Sequence, residues 1–171
     1  GRARIVALPV ADASKSPHCP LGKHDIGYAP SVTLVRGGAR VGYPVLEVPC
    51  NFAYLVGLSV HRPRTTKKRG KVVMHPSETK LYRNRAAAFL ALAASRGHHS
   101  IIVAPIGCGP SQCPPDHVAR IWVELLNGDF SGVFSSVTFA VGNADPNGDD
   151  DADLAWQFGA HVVADATTDA F

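Results

Sequence analysis

Two glycines and two cysteines stand close together in Ile101–Trp122, IIVAPIGCGPSQCPPDHVARIW, where an apolar run gives way to a helical pattern. Such a turn does its chemistry through the backbone. Gly107 and Gly109 let the main chain approach a ligand closely and take positive φ. The start of the following helix offers unpaired N–H groups and a partial positive charge, which together suit a phosphate. A tight strand-to-helix connection with no ligand would need the same glycines, so the pattern alone leaves both readings open. It is not a Walker loop, because no Gly-Lys-Ser/Thr follows. Pro110, Pro114 and Pro115 have no N–H, which leaves Gly107, Cys108, Gly109, Ser111, Gln112 and Cys113 as donors. A thiol at a helix N-terminus has a lowered pKa, which would make Cys108 a nucleophile, although no base can be assigned to it.

Other groups carry weaker chemistry. Cys108 and Cys113, with His18, Cys19 or His24, are zinc-ligand types, but Cys-x4-Cys is loose and the adjacent His18 and Cys19 suit a tetrahedral site poorly. No metal site is expected. His117 lies one turn into a helix and is expected to face solvent. His98 and His99 follow a helix end, where cationic groups complement the dipole. Asp145–Asp153, DPNGDDDAD, lacks the ordered spacing and closing Glu of a calcium loop and reads as a solvated acidic segment. His61–Lys71, HRPRTTKKRGK, carries Arg62, Arg64, Lys67, Lys68, Arg69 and Lys71 without an acid. It has no interleaved aromatics for base stacking. An exposed loop, or one docked on an acidic partner, is expected there; a nucleic-acid contact is the less favoured reading.

The elements that would position these groups follow from periodicity and punctuation. Ser31–Val35 and Val45–Val48 read as strands, the second closed by Pro49. Phe52–Val60 is ambiguous between strand and loop, and Val72–Met74 is a short apolar run. A helix runs from Glu78 to Ser95 with Ser77 as N-cap; Leu81, Ala88 and Leu92 recur at helical spacing, and Gly97 stops it. Ile101–Pro105 is a run of successive apolar residues, the pattern of a strand buried on both faces. Pro115–Leu126 is a second helix with proline in its first turn. Val137–Val141 is a further strand, parallel to Ile101–Pro105 and joined to it through that helix. Leu154–Gly159 and His161–Ala164 read as a short helix and a last strand. Trp122 and Trp156 read as core or interface residues. The alternation is that of an α/β layered domain, and ligands in such sheets sit at the carboxyl ends of strands.

With 171 residues, 46 % hydrophobic and 18 % charged, the chain has the balance of one ordinary globular domain. A net charge of +3 does not by itself imply a nucleic-acid partner. No apolar run reaches the roughly 18 residues of a membrane span. The start, GRARIVALPVADAS, is a poor secretory signal and has no initiator Met, so processing or a longer parent chain is anticipated. Four scattered cysteines, Cys19, Cys50, Cys108 and Cys113, do not form a small disulfide framework, and an intracellular setting is expected.

The segment Arg83–Val141 resembles the microbial-type poly(ADP-ribose) glycohydrolase family, a branch of the macrodomain superfamily. Its helix ends in a small-residue stretch and Gly-His. A strand, a GCG loop, a helix of Val-Ala-Arg character and a strand ending Phe-Ala-Val follow. Upstream, Tyr28–Arg36 and Val45–Asn51 resemble the family's Tyr-Ser-Pro segment and its strand ending near Ala-Pro-Asn. The resemblance extends over roughly Asp25–Gly159. It implies a macrodomain-like three-layer α/β/α sandwich with a mixed, largely parallel sheet, binding ADP-ribose. Gly107, Cys108, Gly109, Ser111 and Gln112 would lie against its diphosphate or ribose.

Two departures bear on activity. The family's Asn-Pro-Gly-Gly-Gly loop and paired glutamates, which would supply the acid for glycosidic cleavage, have no match in Gly1–Gly27. After GCG the family continues Ala-Phe-Gly-Asn, where this chain has Pro110, Ser111, Gln112 and Cys113. The expectation is an irregular segment over 1–27 and a single macrodomain-like domain over 28–171. No catalytic residue, metal or cofactor is expected. The chain would serve as a non-catalytic binding or structural subunit with protein partners, its ADP-ribose affinity weak or absent and its Gly109 kept for the connection. An active hydrolase whose catalytic loop lies outside these residues is the alternative, and a basic-loop nucleic-acid-associated protein a further one.

Overall fold

The computed structural model describes residues 4–7, 25–37 and 42–141. The chain divides into two compact units, Gly1–Leu58 and Ser59–Phe171. The expected elements Leu154–Gly159 and His161–Ala164 lie outside the described residues, as do His18, Cys19, His24, Asp145–Asp153 and Trp156.

The first unit holds a three-stranded sheet ordered β1-β2-β3. Strand β1 (Arg4–Ala7) runs parallel to β2 (Asp25–Arg36), and β2 pairs antiparallel with β3 (Val45–Gly57). Both long strands exceed the sequence expectation. The run beginning at Ser31 is extended from Asp25, and Val45–Val48 continues through Pro49 into the ambiguous Phe52 stretch. Prolines should interrupt such pairing, since they remove a ladder N–H. The register explains their tolerance. It slips between Ala29 and Val32, around Pro30, and again between Leu34 and Arg36, opposite Pro49. Each proline falls where a bulge has already released the ladder. The start of β2 is buried, with Ile26 and Ala29 inaccessible, while Val45 and Val48 near the start of β3 are exposed.

The second unit contains a β-hairpin, two helices and a parallel strand pair. Strands β4 (Thr65–Lys68) and β5 (Lys71–Met74) are antiparallel. The basic segment expected as a loop is therefore largely a hairpin. Its turn is Arg69-Gly70, and both residues have positive φ, 52° and 78°. This tight turn normally takes Asn or Gly at its first position. A left-handed arginine costs about 1–2 kcal/mol.

Helix α1 (Pro76–Ser95) begins one residue before the expected cap. His75 flanks it without a side-chain capping bond, and Ser77 lies inside the first turn. Pro76 supplies the pre-set φ at the first helical position, and the Thr79 hydroxyl bonds back to the carbonyls of Met74 and His75. The buried stripe is Tyr82, Ala86, Phe89, Leu90, Leu92 and Ala93; it includes the expected Leu92 but is offset by one or two residues from the expected Leu81 and Ala88. Strand β6 (Ser100–Val103), helix α2 (Pro115–Asn127) and strand β7 (Ser136–Phe139) form the expected crossover, with Ile101 opposite Val137 in a parallel pair. β6 is not buried on both faces as its unbroken apolar run suggested: Val103 is buried but Ile102 is 77 % exposed. Two of the four described strand pairings are parallel, so the fold is mixed α/β.

The core of this unit lies between the helices and β5. Met74, Leu90, Val118, Trp122 and Leu125 are almost wholly inaccessible, and Trp122 meets Phe139 of β7 edge-on at 6.3 Å. One polar chain crosses this core. Trp122 Nε1–H donates to the Tyr82 hydroxyl at 3.2 Å, and that hydroxyl donates to the Ile106 carbonyl at 2.7 Å. Burial pushes the Tyr82 phenol far above its usual range, so it remains a neutral donor. A second bond ties the hairpin to α2. The Met74 amide donates to His117 Nδ1 at 2.9 Å, so His117 is held at the hairpin root instead of facing solvent as expected.

Two outcomes follow from these bonds. Tyr82→Phe leaves the Trp122 N–H and the Ile106 carbonyl without that partner, and should lower stability by about 1–3 kcal/mol in urea unfolding. His117 must stay neutral to accept from Met74, and burial, then Arg120, lower its pKa. The unfolded chain therefore binds a proton that the folded chain does not. Stability should be full above about pH 6.5 and fall as pH drops below it. His117→Gln should flatten that dependence in thermal melts recorded across pH.

Candidate functional site

The strand-to-helix turn is closed by its own amides. Cys108 N donates to Pro105 O at 3.0 Å, Gln112 N to Gly109 O at 2.8 Å and Cys113 N to Gly107 O at 2.9 Å. Of the six donors counted from sequence, three are thus spent within the turn, which leaves the amides of Gly107, Gly109 and Ser111. The Ser111 carbonyl accepts from Arg62 N at 2.7 Å, which joins the turn to the chain leading into β4.

The left-handed positions are Gly107, with φ 88°, and Gln112, with φ 56°. The expectation that Gly109 shares this requirement is not met, since its φ lies outside the left-handed region and a Cβ there would meet nothing within 4 Å. At Gly107 a Cβ would run into Ser59 Oγ and lie 2.9 Å from Cys113 Sγ. Gly107 is therefore the glycine that the connection demands, on both conformational and steric grounds. Gln112 takes the left-handed conformation at the position where the resembled loop has glycine.

Cys113 is buried, and its thiol donates to the Val60 carbonyl at 3.2 Å. Burial, then the neighbouring Cys113, pushes the Cys108 thiol up to about 12. This reverses the expected lowering. Pro114 and Pro115 remove the amides that would have carried the helix field, and desolvation penalises the thiolate. Cys108 stays protonated at neutral pH and is a poor nucleophile. Cys113 is raised by burial as well.

Beside the turn lies an open cleft of about 650 Å³. Thr65, Lys71 and Val72 of the hairpin form one wall; Cys108, Gly109, Gln112 and Cys113 of the turn form another; and Pro114, Pro115 and Asp116 close it at the start of α2. Of the five residues singled out for ligand binding, Cys108, Gly109 and Gln112 line this space, whereas Gly107 and Ser111 do not. The end of α2 is poorly suited to an anion. Pro115 at its first position and the flanking Pro114 have no N–H, the His117 and Val118 amides donate to Pro114 O, and the Asp116 carboxylate already complements the dipole. Asp116 also meets Lys71 Nζ at 3.4 Å and Arg120 Nη2 at 3.4 Å. It is the only carboxylate in the lining, and no group of three or more metal-ligand types assembles among the described residues.

Sequence reasoning missed the hairpin wall, Ser59 behind Gly107, and Tyr82 holding Ile106. Ser59 left no local signal, because its contact is long-range; the hairpin pairs locally, but its strands are charged and its turn begins with arginine where asparagine or glycine would announce it. Tyr82 did leave one, as a hydroxyl inside a buried helical stripe, where it must find a partner. Gly107→Ala should lower stability by about 2 kcal/mol or more. Gly109→Ala should stay within about 0.5 kcal/mol of the parent in the same urea titration.

No protein-family profile matches the chain, and no curated protein matches it by sequence. Solved structures do. Poly(ADP-ribose) glycohydrolase from Deinococcus radiodurans in complex with ADP-ribose superposes with a TM-score of 0.65 at 26 % identity, over 80 % of this chain and 52 % of that one. The glycohydrolase from Thermomonospora curvata superposes with a TM-score of 0.63 at 28 % identity, over 78 % and 46 %. The Deinococcus radiodurans enzyme in apo form gives 0.60 at 25 % identity, over 78 % and 53 %. The chain spans about half the length of these structures. No helix among the described residues is long and apolar enough to cross a membrane. In fold, the chain resembles the microbial poly(ADP-ribose) glycohydrolases at the level of the family.

Proposed function

We propose that the chain is a degenerate glycohydrolase-like macrodomain acting as a non-catalytic binding or structural subunit of a larger intracellular assembly. Its ligand class is ADP-ribose, bound weakly if at all, and its partners are proteins. The contacts would come from Gly107, Cys108, Gly109, Ser111 and Gln112, without metal or cofactor.

The observation that carries this reading is Gln112. It holds a left-handed backbone, the conformation that the glycine of the resembled loop would adopt freely, and it lines the cleft. A ligand diphosphate approaching that backbone would meet glutamine in place of bare backbone, and of the amides not spent within the turn only that of Gly109 belongs to a residue lining the cleft. Glycosidic cleavage further needs a carboxylic acid beside the leaving group. The cleft's only carboxylate, Asp116, forms ion pairs with Lys71 and Arg120, which favour its charged form over the acid that cleavage requires. A second reading is favoured by the span of the match: an active hydrolase whose catalytic loop lies in the half of the resembled structures that this chain does not cover.

Calorimetric titration with ADP-ribose tests the first reading. The parent chain should bind more weakly than about 100 µM, equivalent to less than about 5.5 kcal/mol. Gln112→Gly should tighten binding at least tenfold, because it clears the cleft and keeps the backbone conformation. The 171-residue chain should release no ADP-ribose from poly(ADP-ribose). Submicromolar affinity in the parent, or turnover above a no-protein control, would sink the proposal.

A further inference from the structure

From Val48 to Ser77 the sequence has no acidic residue, and the hairpin β4–β5 lies within this interval. Its root is anchored: Met74 and Pro63 are buried, Met74 N bonds to His117, and His75 N bonds to Arg64 O. Its outer part, Thr65 to Val72, is exposed throughout. Lys67, Lys68 and Arg69 stand at the tip. Lys71 pairs with Asp116 and Arg64 with Glu78, but Arg62, Lys67, Lys68 and Arg69 have no ion pair among the described residues.

Two features of the hairpin oppose its own stability. Lys68 is the direct cross-strand partner of Lys71, so two ammonium groups share one face of a two-stranded ribbon. Like charges so placed destabilise the pair. Arg69 occupies a left-handed turn position that asparagine or glycine fills with less strain. Neither feature helps the chain fold, and both concentrate positive charge at an exposed tip. Such a conflict between local preference and structure marks a functional surface.

We infer that the tip of the β4–β5 hairpin is a docking surface for the phosphodiester backbone of nucleic acid, read without sequence selectivity. The residue types fit this partner. Lysine ammoniums act as point charges on phosphate oxygens, and the exposed Thr65 and Thr66 hydroxyls are of the kind that contact phosphates. A single guanidinium and no aromatic side chain on the hairpin leave little means of reading base edges or stacking on bases. The inference stands independently of the ADP-ribose reading, since it uses the hairpin tip and not the turn amides.

Fluorescence anisotropy of the 171-residue chain with labelled duplex DNA and with single-stranded RNA tests it. Both should bind at low salt regardless of sequence. The log–log salt slope on duplex should be about −3 to −4, since each neutralised phosphate contributes about −0.9. The Lys67→Gln/Lys68→Gln/Arg69→Asn variant should reduce that slope by about 2 to 3 in magnitude. Its melting temperature should match or exceed the parent's, because the like-charge pair and the left-handed arginine are gone. Lys68→Gln alone should weaken binding in proportion, and Lys80→Gln on α1 should not. An unchanged slope in the triple variant, no binding at low salt, or strong sequence preference would overturn the inference. So would equal displacement of the DNA by poly-glutamate at matched charge, which would assign the surface to an acidic protein.

Discussion

The second unit depends on one buried phenol. Tyr82 on α1 receives the indole N–H of Trp122 on α2 and passes a hydrogen bond to the carbonyl of Ile106, just before the glycine turn. Three segments distant in sequence are thereby placed by one side chain. The bonds lie where a polar group without a partner would cost more than a hydrogen bond returns. This dependence makes the arrangement specific. A differently packed helix pair could bury equal apolar area, but would leave the indole, the phenol or the carbonyl unsatisfied. The turn can then carry tight, self-closed geometry because its entry is fixed from below and its exit is fixed by Pro114 and Pro115.

Around that fixed point the chain tolerates backbone strain at a few positions. Arg62, Arg69 and Gln112 all take positive φ without being glycine. The Arg62 amide bonds to the Ser111 carbonyl, so two of these residues flank the same contact between turn and hairpin approach. At Gln112 a residue with a side chain takes a backbone conformation that glycine adopts more readily. The same residue is part of the lining of the cleft. The proposal of a non-catalytic subunit rests on this residue, a left-handed position in the lining of the cleft.

The cleft also unites features that look unrelated in sequence. The basic segment and the glycine turn are separated by helix α1 and strand β6, yet Thr65, Lys71 and Val72 face Cys108, Gly109 and Gln112 across one space. The ion pair of Lys71 with Asp116 spans it. Positive charge from the hairpin is partly spent there, while the tip beyond remains unpaired among the described residues. One hairpin thus has an inner end that shapes the cleft and an outer end that presents charge.

What the sequence determined by itself was local. Helical periodicity and proline placement located both helices to within two residues, and the order strand, glycine turn, helix, strand implied the parallel pair β6 and β7. These signals persist because they arise from contacts within a turn or from φ preferences. What only the tertiary structure decided was every property that depends on a distant partner. Pro30 and Pro49 lie inside strands because bulges in the register accommodate them. His117 turns inward because the Met74 amide reaches it across 43 residues. Cys108 is raised and not lowered, because burial outweighs a helix end stripped of its amides by prolines. Gly107 is the required glycine because a Cβ there would collide with Ser59 and Cys113, and no spacing rule within the motif distinguishes it from Gly109. Local composition states which conformations a residue can adopt; which one it does adopt is set by the neighbours that folding brings to it.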